Sequence, residues 1–335
     1  MPLLSVLDLA TVGSGSTPAQ ALADTTRLAV EAERLGYHRF WVAEHHAMPA
    51  VASSAPAVLI AHLAAATNTL RIGSGGVMLP NHSPLVIAEQ FATLEALHPG
   101  RIDLGLGRAP GTDPATARAL RRASGVGPDT FPQDVVELIR YLADSDDPPG
   151  HPTANPGHGY LPEVWLLGSS LYSAQLAGLL GLPFAFAYHF SPGPLDAALA
   201  TYRENFRTGL YAEPHAMVAV SVLCAPTGEE ARWLAGPSAL GILQLRTGRL
   251  APLPSPEEAA SYPYRDDERA LVEQVMATHV IGDPDTVRAG LEALVRRTGA
   301  DELIISTRAH SYETRLQSLE LIASLHLGCR DTPAA

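Results

Sequence analysis

Residues 73–111 read GSGGVMLPNHSPLVIAEQFATLEALHPGRIDLGLGRAPG, and their reading decides the fold. A short apolar strand, Leu70 to Ser74, runs into this stretch and dissolves into glycines. Pro84 to Leu97 reads as a helix that Pro99 and Gly100 bring to a stop, and Ile102 to Leu106 is the next strand. A short apolar run, a longer amphipathic run and a second short apolar run make one β-then-α step.

The same step repeats on both sides. Upstream, Leu3 to Leu9 is a strand, and Thr17 with Pro18 caps and opens a helix reaching about Leu35, with Gly36 as its stop. Arg39 to Ala43 is a strand and Pro56 to Thr67 a helix. Downstream, residues 111–132 read as loop or short helix, followed by a helix around Asp134 to Ala143 and a Pro/Gly/His-rich excursion over 146–163. Then come strands at Val164 to Leu167, Phe184 to Ala187, Met217 to Leu223 and Glu302 to Ser306. Helices are expected around Ser173 to Leu180, Leu195 to Phe206, Asp285 to Arg297 and Thr314 to Leu325. A long insertion spans about 227–270, with APLPSPEEAASYPY as its loop-like part. Eight strands, most followed by a helix, suit a closed (β/α)8 TIM barrel with insertions, in one domain over 1–335. An open doubly wound sheet is the competing layout; the first strand lacks a GxGxxG turn, and the units continue past six strands.

Composition narrows the chemistry. The net charge is −12, which argues against nucleic acid as a partner. All 23 basic residues are arginine. Without lysine there is no Schiff base, no pyridoxal-phosphate anchor and no Walker-type phosphate lysine. Cys224 and Cys329 are far apart and form no CxxC, so a disulfide framework is not expected and a cytoplasmic setting is. The N-terminus lacks the pattern of a signal peptide, and no run approaches about 18 apolar residues, so no membrane association is expected.

A barrel of this kind carries its site at the C-terminal ends of the strands. Those ends hold Asp8, Glu44-His45-His46, Ser74-Gly75-Gly76, Gly107-Arg108, Gly168-Ser169-Ser170, Tyr188-His189 and Ser306-Thr307. The paired histidines in WVAEHH suit proton transfer near neutral pH. They also suit a plain loop, or a metal site joined by Glu44, His82 and His189, although no HxH or HExxH spacing occurs. The glycines of GSGGVMLP mark either an ordinary turn or a backbone pressed against a ligand. In LLGSSLYSA, a helix N-terminus with two hydroxyls makes an anion pocket, with Arg108 as an opposing charge. Ser170 as a plain N-cap is the alternative.

Four segments taken together resemble the bacterial-luciferase-like flavin monooxygenases: WVAEHH, residues 73–111, WLLGSSLYSAQLAGLLGLPFAFAYHF and GDPDTVRAGLEALVRRTGADELII. The resemblance implies a (β/α)8 barrel that takes reduced FMN from a separate flavin reductase. It also implies activation of O2 as a flavin C4a-peroxide and oxidation of a small organic substrate. A sister branch uses a deazaflavin for hydride transfer. By the resemblance His45 is the proton-handling catalytic residue, and Ser74, Gly75 and Gly76 lie at the flavin ring, with a non-proline cis peptide at Gly75-Gly76. Arg108, Gly168, Ser169, Ser170 and Tyr172 hold the phosphate, while His46, Met78, Tyr188 and His189 line the substrate pocket with no metal ligand among them. Relatives commonly read HHF where this chain reads Tyr188-His189-Phe190. A homodimer through the helices Pro56 to Thr67 and Pro84 to Leu97 is also implied. The readings left beside this one are deazaflavin-dependent hydride transfer, a flavin-binding protein without turnover, and a metal-dependent hydrolase using His45, His46 and His189.

Overall fold

A computed structural model describes residues 2–109, 114–120, 130–143, 152–190, 193–325 and 327. The first half contains β1 (Leu3–Asp8), α1 (Pro18–Arg34), β2 (Arg39–Val42), α2 (Pro56–Ala66), β3 (Arg71–Ser74), β4 (Val77–Met78), α3 (Pro84–Leu97) and β5 (Ile102–Gly107). Next come α4 (Pro114–Leu120), α5 (Phe131–Leu142), β6 (Glu163–Gly168), α6 (Leu171–Leu180), β7 (Phe184–Phe186), α7 (Leu195–Asn205) and β8 (Ala216–Cys224). The chain ends with α8 (Gly228–Arg246), α9 (Pro256–Ser261), α10 (Asp266–Met276), β9 (Val280–Gly282), α11 (Pro284–Thr298), β10 (Glu302–Ser306) and α12 (Tyr312–Ala323).

Eight parallel strands close on themselves in the order β1-β2-β3-β5-β6-β7-β8-β10, because β10 pairs with both β1 and β8. This is the TIM barrel expected from the repeated step. Along each strand one set of side chains faces the lumen and the alternate set meets the helices. The helix-facing set forms the main core, from Val6, Phe40 and Ile72 round to Leu303 and Ile305. The lumen is plugged by Leu7, Trp41, Trp165, Ala185, Met217, Ala219 and Ile304, with the two indoles edge to face at 5.3 Å.

Three features depart from the expectation. β4 continues the path of β3 and pairs with β5, so the glycine stretch sits between two strand segments. β9 adds to β8 outside the closed ring, a three-residue strand too short to announce itself by alternation. The 227–270 stretch is largely helical: α8 runs 19 residues from its Thr227 cap, and APLPSPEEAASYPY contains α9. The proline there is tolerated because it opens the helix, behind a capping box formed by Ser255 and Glu258. The expected loop over 111–132 and excursion over 146–163 fall partly outside the described residues, as does Cys329, while Cys224 is a buried free thiol.

Candidate active site at the barrel mouth

The strand-end residues do not all reach the mouth. Asp8 is turned away from the lumen and buried, accepting hydrogen bonds from Thr25 Oγ1 at 2.6 Å, Ala10 N at 3.0 Å and Arg315 Nη1 at 3.1 Å. It ties β1 to α1 and α12. Ser74 is also committed to structure, since its hydroxyl donates to Gly105 O at 3.0 Å and accepts from Gly105 N at 2.9 Å. Leu79 and Leu106 pack in the core beneath the helices, and Phe190 lies exposed.

Gly75 and Gly76 are joined by a cis peptide. A Cβ on Gly75 would stand 2.8 Å from Leu7 Cδ1 and 3.2 Å from Trp41 Cε3, and one on Gly76 would stand 2.7 Å from Gly105 O. At Gly76 the opposing carbonyl cannot give way and only glycine fits, while at Gly75 a side chain would have to displace Leu7, so the backbone here lies bare against the lumen plug. Met78 closes one side, its Sδ lying 3.2 Å from where a Cβ on Gly107 would be.

Beside this face, Glu44 is fully buried yet charged. Its Oε1 accepts from His46 Nε2 and His82 Nε2, each at 2.8 Å, and Oε2 accepts from Met78 N at 2.9 Å. Burial pushes the carboxyl's pKa upward, but the His82, His46 and Met78 hydrogen bonds more than offset this and hold it below the usual carboxylate range. Glu44 thus fixes both imidazoles and the end of β4 from one point. His45, half-buried, has its backbone N–H on Ser53 O at 3.0 Å and lies within electrostatic reach of His189.

Across β5 and β6, Arg108 stacks on the Tyr172 ring at 4.6 Å, and both side chains are exposed. Ser170 is the N-cap of α6, in a capping box with Ser173, whose hydroxyl occupies the space a side chain on Gly168 would need. The hydroxyl of Ser169 makes no hydrogen bond among the described residues. The first turn of α6, the Ser169 hydroxyl and the exposed Arg108 stacked on Tyr172 of that turn together offer the donors and positive charge that suit an anion.

His189 and Tyr188 part company. Tyr188 is in phase with the helix-facing Phe184 and Phe186, and its ring lies 5.4 Å from the Arg297 guanidinium on α11, so it is turned away from the mouth. His189 is in phase with the lumen-facing Ala185, and its Nδ1 is shut off from solvent with no hydrogen-bond partner among the described residues. Burial first, then the neighbouring His279 and His45, push its pKa down to about 4. The sequence reading brought Glu44 and His82 to this end of the barrel only as metal ligands; it missed the clamping of His82 and His46 by Glu44, and missed His279 and Arg308 as residues of the mouth. Among the described residues no cluster could hold a metal ion.

The mouth of this (β/α)8 barrel thus joins an uncovered glycine backbone, a histidine group fixed by Glu44 and an exposed arginine beside a helix N-terminus. The chain belongs to the luciferase-like monooxygenase family, which it matches over residues 3–302, and it is accordingly an oxidoreductase. It is 48% identical to a luciferase-like monooxygenase of Escherichia coli over 95% of both chains. It is 40% identical to the N-acetyl-S-alkylcysteine monooxygenase of Bacillus subtilis, over 77% of this chain and 78% of that one. The crystal structure of apo-MsnO8 superposes with a TM-score of 0.88 at 39% identity, covering 96% of this chain and 98% of that one.

Proposed function

We propose that this chain is a two-component flavin-dependent monooxygenase, using reduced FMN from a separate reductase and O2 to oxidise a small organic substrate. The observation that carries the reading is the pairing of a side-chain-free backbone face at Gly75-Gly76 with a single-cation anion site at Arg108 and α6. The first offers a flat ring uncovered backbone to lie on, the Cβ directions at both glycines being already filled by Leu7, Trp41 and Gly105. One phosphate needs the second. When bound, the reduced flavin would supply the electrons that let one oxygen atom enter the substrate while the other leaves as water.

The residues divide the remaining work. Arg108, Tyr172, Ser169, Ser170 and the backbone beside Gly168 hold the phosphate, and the backbone from Ser74 to Gly76 receives the ring. His45 holds or returns a proton at the ring edge, where a neutral imidazole suits transfer near pH 7. Glu44 orients His46 and Met78, which line the substrate side together with His189. The Leu7, Trp41 and Trp165 plug keeps water from below. Tyr188 drops out of this pocket. The name of the Bacillus relative makes acidic thioethers a reasonable first substrate class. A homodimer is proposed through α2 and α3, where Val58, Val86 and Leu97 leave large apolar side chains in solvent, in a cytoplasmic protein forming one domain.

The test mixes protein with reduced FMN anaerobically, admits O2 and follows absorbance. The expected result is a slowly decaying transient distinct from reduced and oxidised flavin. The variant His45→Ala should keep FMN affinity within a few fold while slowing product formation about 10²–10⁴-fold. Flavin oxidation indistinguishable from that of free FMN, or full turnover in the variant, would overturn the reading or the role of His45 respectively.

A further inference from the structure

Arg308 follows the lumen-facing series Glu302, Ile304 and Ser306 by two residues, which brings it to the mouth under α8. Its guanidinium packs on Gly241, whose Cβ would stand 3.3 Å from Nη2. Small hollows of about 10 Å³ each flank it, each with room for one water, and neither has an Asp or Glu in its lining. Among the described residues Arg308 has no ion pair and no hydrogen bond, and burial alone depresses its pKa. Beside it lies His279, whose Nε2 is buried without a partner among the described residues, and within electrostatic reach of His279 lies His189, whose Nδ1 likewise has none among them. Ser221 and Ser306 add hydroxyls to the same wall.

Arg308 is half-buried, and a guanidinium partly withdrawn from water with no counter-charge is a position a ligand's negative group can complete. We propose that Arg308, with His279 beside it and His189 next to His279, is the subsite that receives a carboxylate carried by the substrate. The planar fork of arginine matches a carboxylate in two parallel hydrogen bonds, and the imidazoles, which can each place an N–H on the ligand, complete the ring of donors. In the closed strand order β10 stands four places from β5, across the barrel from the Arg108 site. The mouth thus has two anion sites on opposite walls with the glycine face between them. One suits the flavin phosphate and the other an acidic substrate group, which fixes the substrate's direction across the ring. The inference rests on the reading of the mouth as an oxygenation site.

The experiment compares wild type with Arg308→Met. Thermal midpoints are taken without ligand, and affinities are taken for hexanoate, benzoate and N-acetyl-S-methylcysteine, each against its primary amide. FMN and riboflavin binding are measured alongside. The expected result is a midpoint in the variant equal to wild type or up to a few degrees higher, because an uncompensated charge has gone. At least one acid should bind wild type tenfold or more tightly than its amide, with that preference lost in the variant and FMN affinity kept. A midpoint several degrees lower would make Arg308 a structural residue and overturn the proposal. So would FMN affinity collapsing to that of riboflavin in the variant, which would assign Arg308 to the flavin phosphate, or wild type showing no preference for any acid. Wild type that prefers an acid yet fails to bind FMN would sink the flavin reading and leave this subsite standing.

Discussion

The two ends of this barrel hold similar side chains in opposite states. At the floor Arg39, 2% exposed, reaches Asp103 at 3.0 Å, Glu302 at 2.9 Å and Glu163 at 3.2 Å. Arg71 doubles the pairing to Asp103 and Glu163, His215 and Ser5 meet Glu302, and the two indole N–H groups donate to Asp103 and Glu163. Every charge there has a fixed counterpart. At the mouth, among the described residues, Arg308, His279 and His189 have none, whereas Glu44 is fully satisfied. A polar network closed on itself specifies a structure, whereas one left open specifies a ligand.

The largest effect should come from breaking the floor. Arg39→Met leaves Glu302 buried with only His215 and Ser5, and strands half of the Asp103 pairing. A loss of about 3–5 kcal/mol is expected from removing one partner of a buried ion network. Urea unfolding checks it, as a lower midpoint at unchanged slope. A loss under about 1 kcal/mol would mean the floor is no more structural than the mouth, and the contrast would fall.

The next effect should appear at the mouth as the pH drops. Folded His189 and His279 take up protons only near pH 4, since burial and positive neighbours hold them there. An unfolded histidine takes one up near pH 6.5. Between those values the unfolded chain binds more protons, so stability falls as the pH is lowered and is fully present above pH 6.5. Two half-buried groups make this a loss of about 2–4 kcal/mol at most. In His279→Gln the fall should be shallower by roughly half, read from unfolding midpoints at pH 7 and pH 4.5. An unchanged slope in that variant would place the imidazole in solvent.

What the sequence disclosed follows the same division. The repeated step was legible because the helix-facing core is apolar at period two in strands and near 3.6 in helices, and because glycine and proline mark the joints. The bare backbone face was legible for a similar reason: a glycine pair closing a strand leaves the main chain uncovered whichever way it turns. The open network was harder to read. Arg308 stands two residues beyond Ser306, and extending the Glu302-Ile304-Ser306 alternation by one step would have found it. His279 precedes β9, which is too short to show a period, so only the folded chain brings it to Arg308. The Glu44 clamp joins residues 38 apart through loops whose course no local pattern fixes. By contrast α9 carried its own signal, Ser255 followed three residues later by Glu258, inside a stretch whose prolines suggested loop.

The smallest effect concerns a residue that belongs to both kinds of network. Ser170 caps α6, its Oγ accepting from Ser173 N at 3.4 Å, and it also borders the spot where the phosphate is expected. As a cap alone, Ser170→Ala should cost about 1 kcal/mol, and Ser170→Asp, which keeps a capping oxygen, close to nothing. As part of an anion site the order reverses. The aspartate then puts a negative charge beside the phosphate and should weaken FMN about tenfold or more, near 1.4 kcal/mol, while riboflavin, which has no phosphate, binds as before. The alanine should change FMN affinity only a few fold. Thermal midpoints separate the first pair of outcomes and flavin fluorescence titrations the second. If the aspartate weakens FMN and riboflavin equally, Ser170 acts by shaping the loop, and the phosphate lies elsewhere on the mouth.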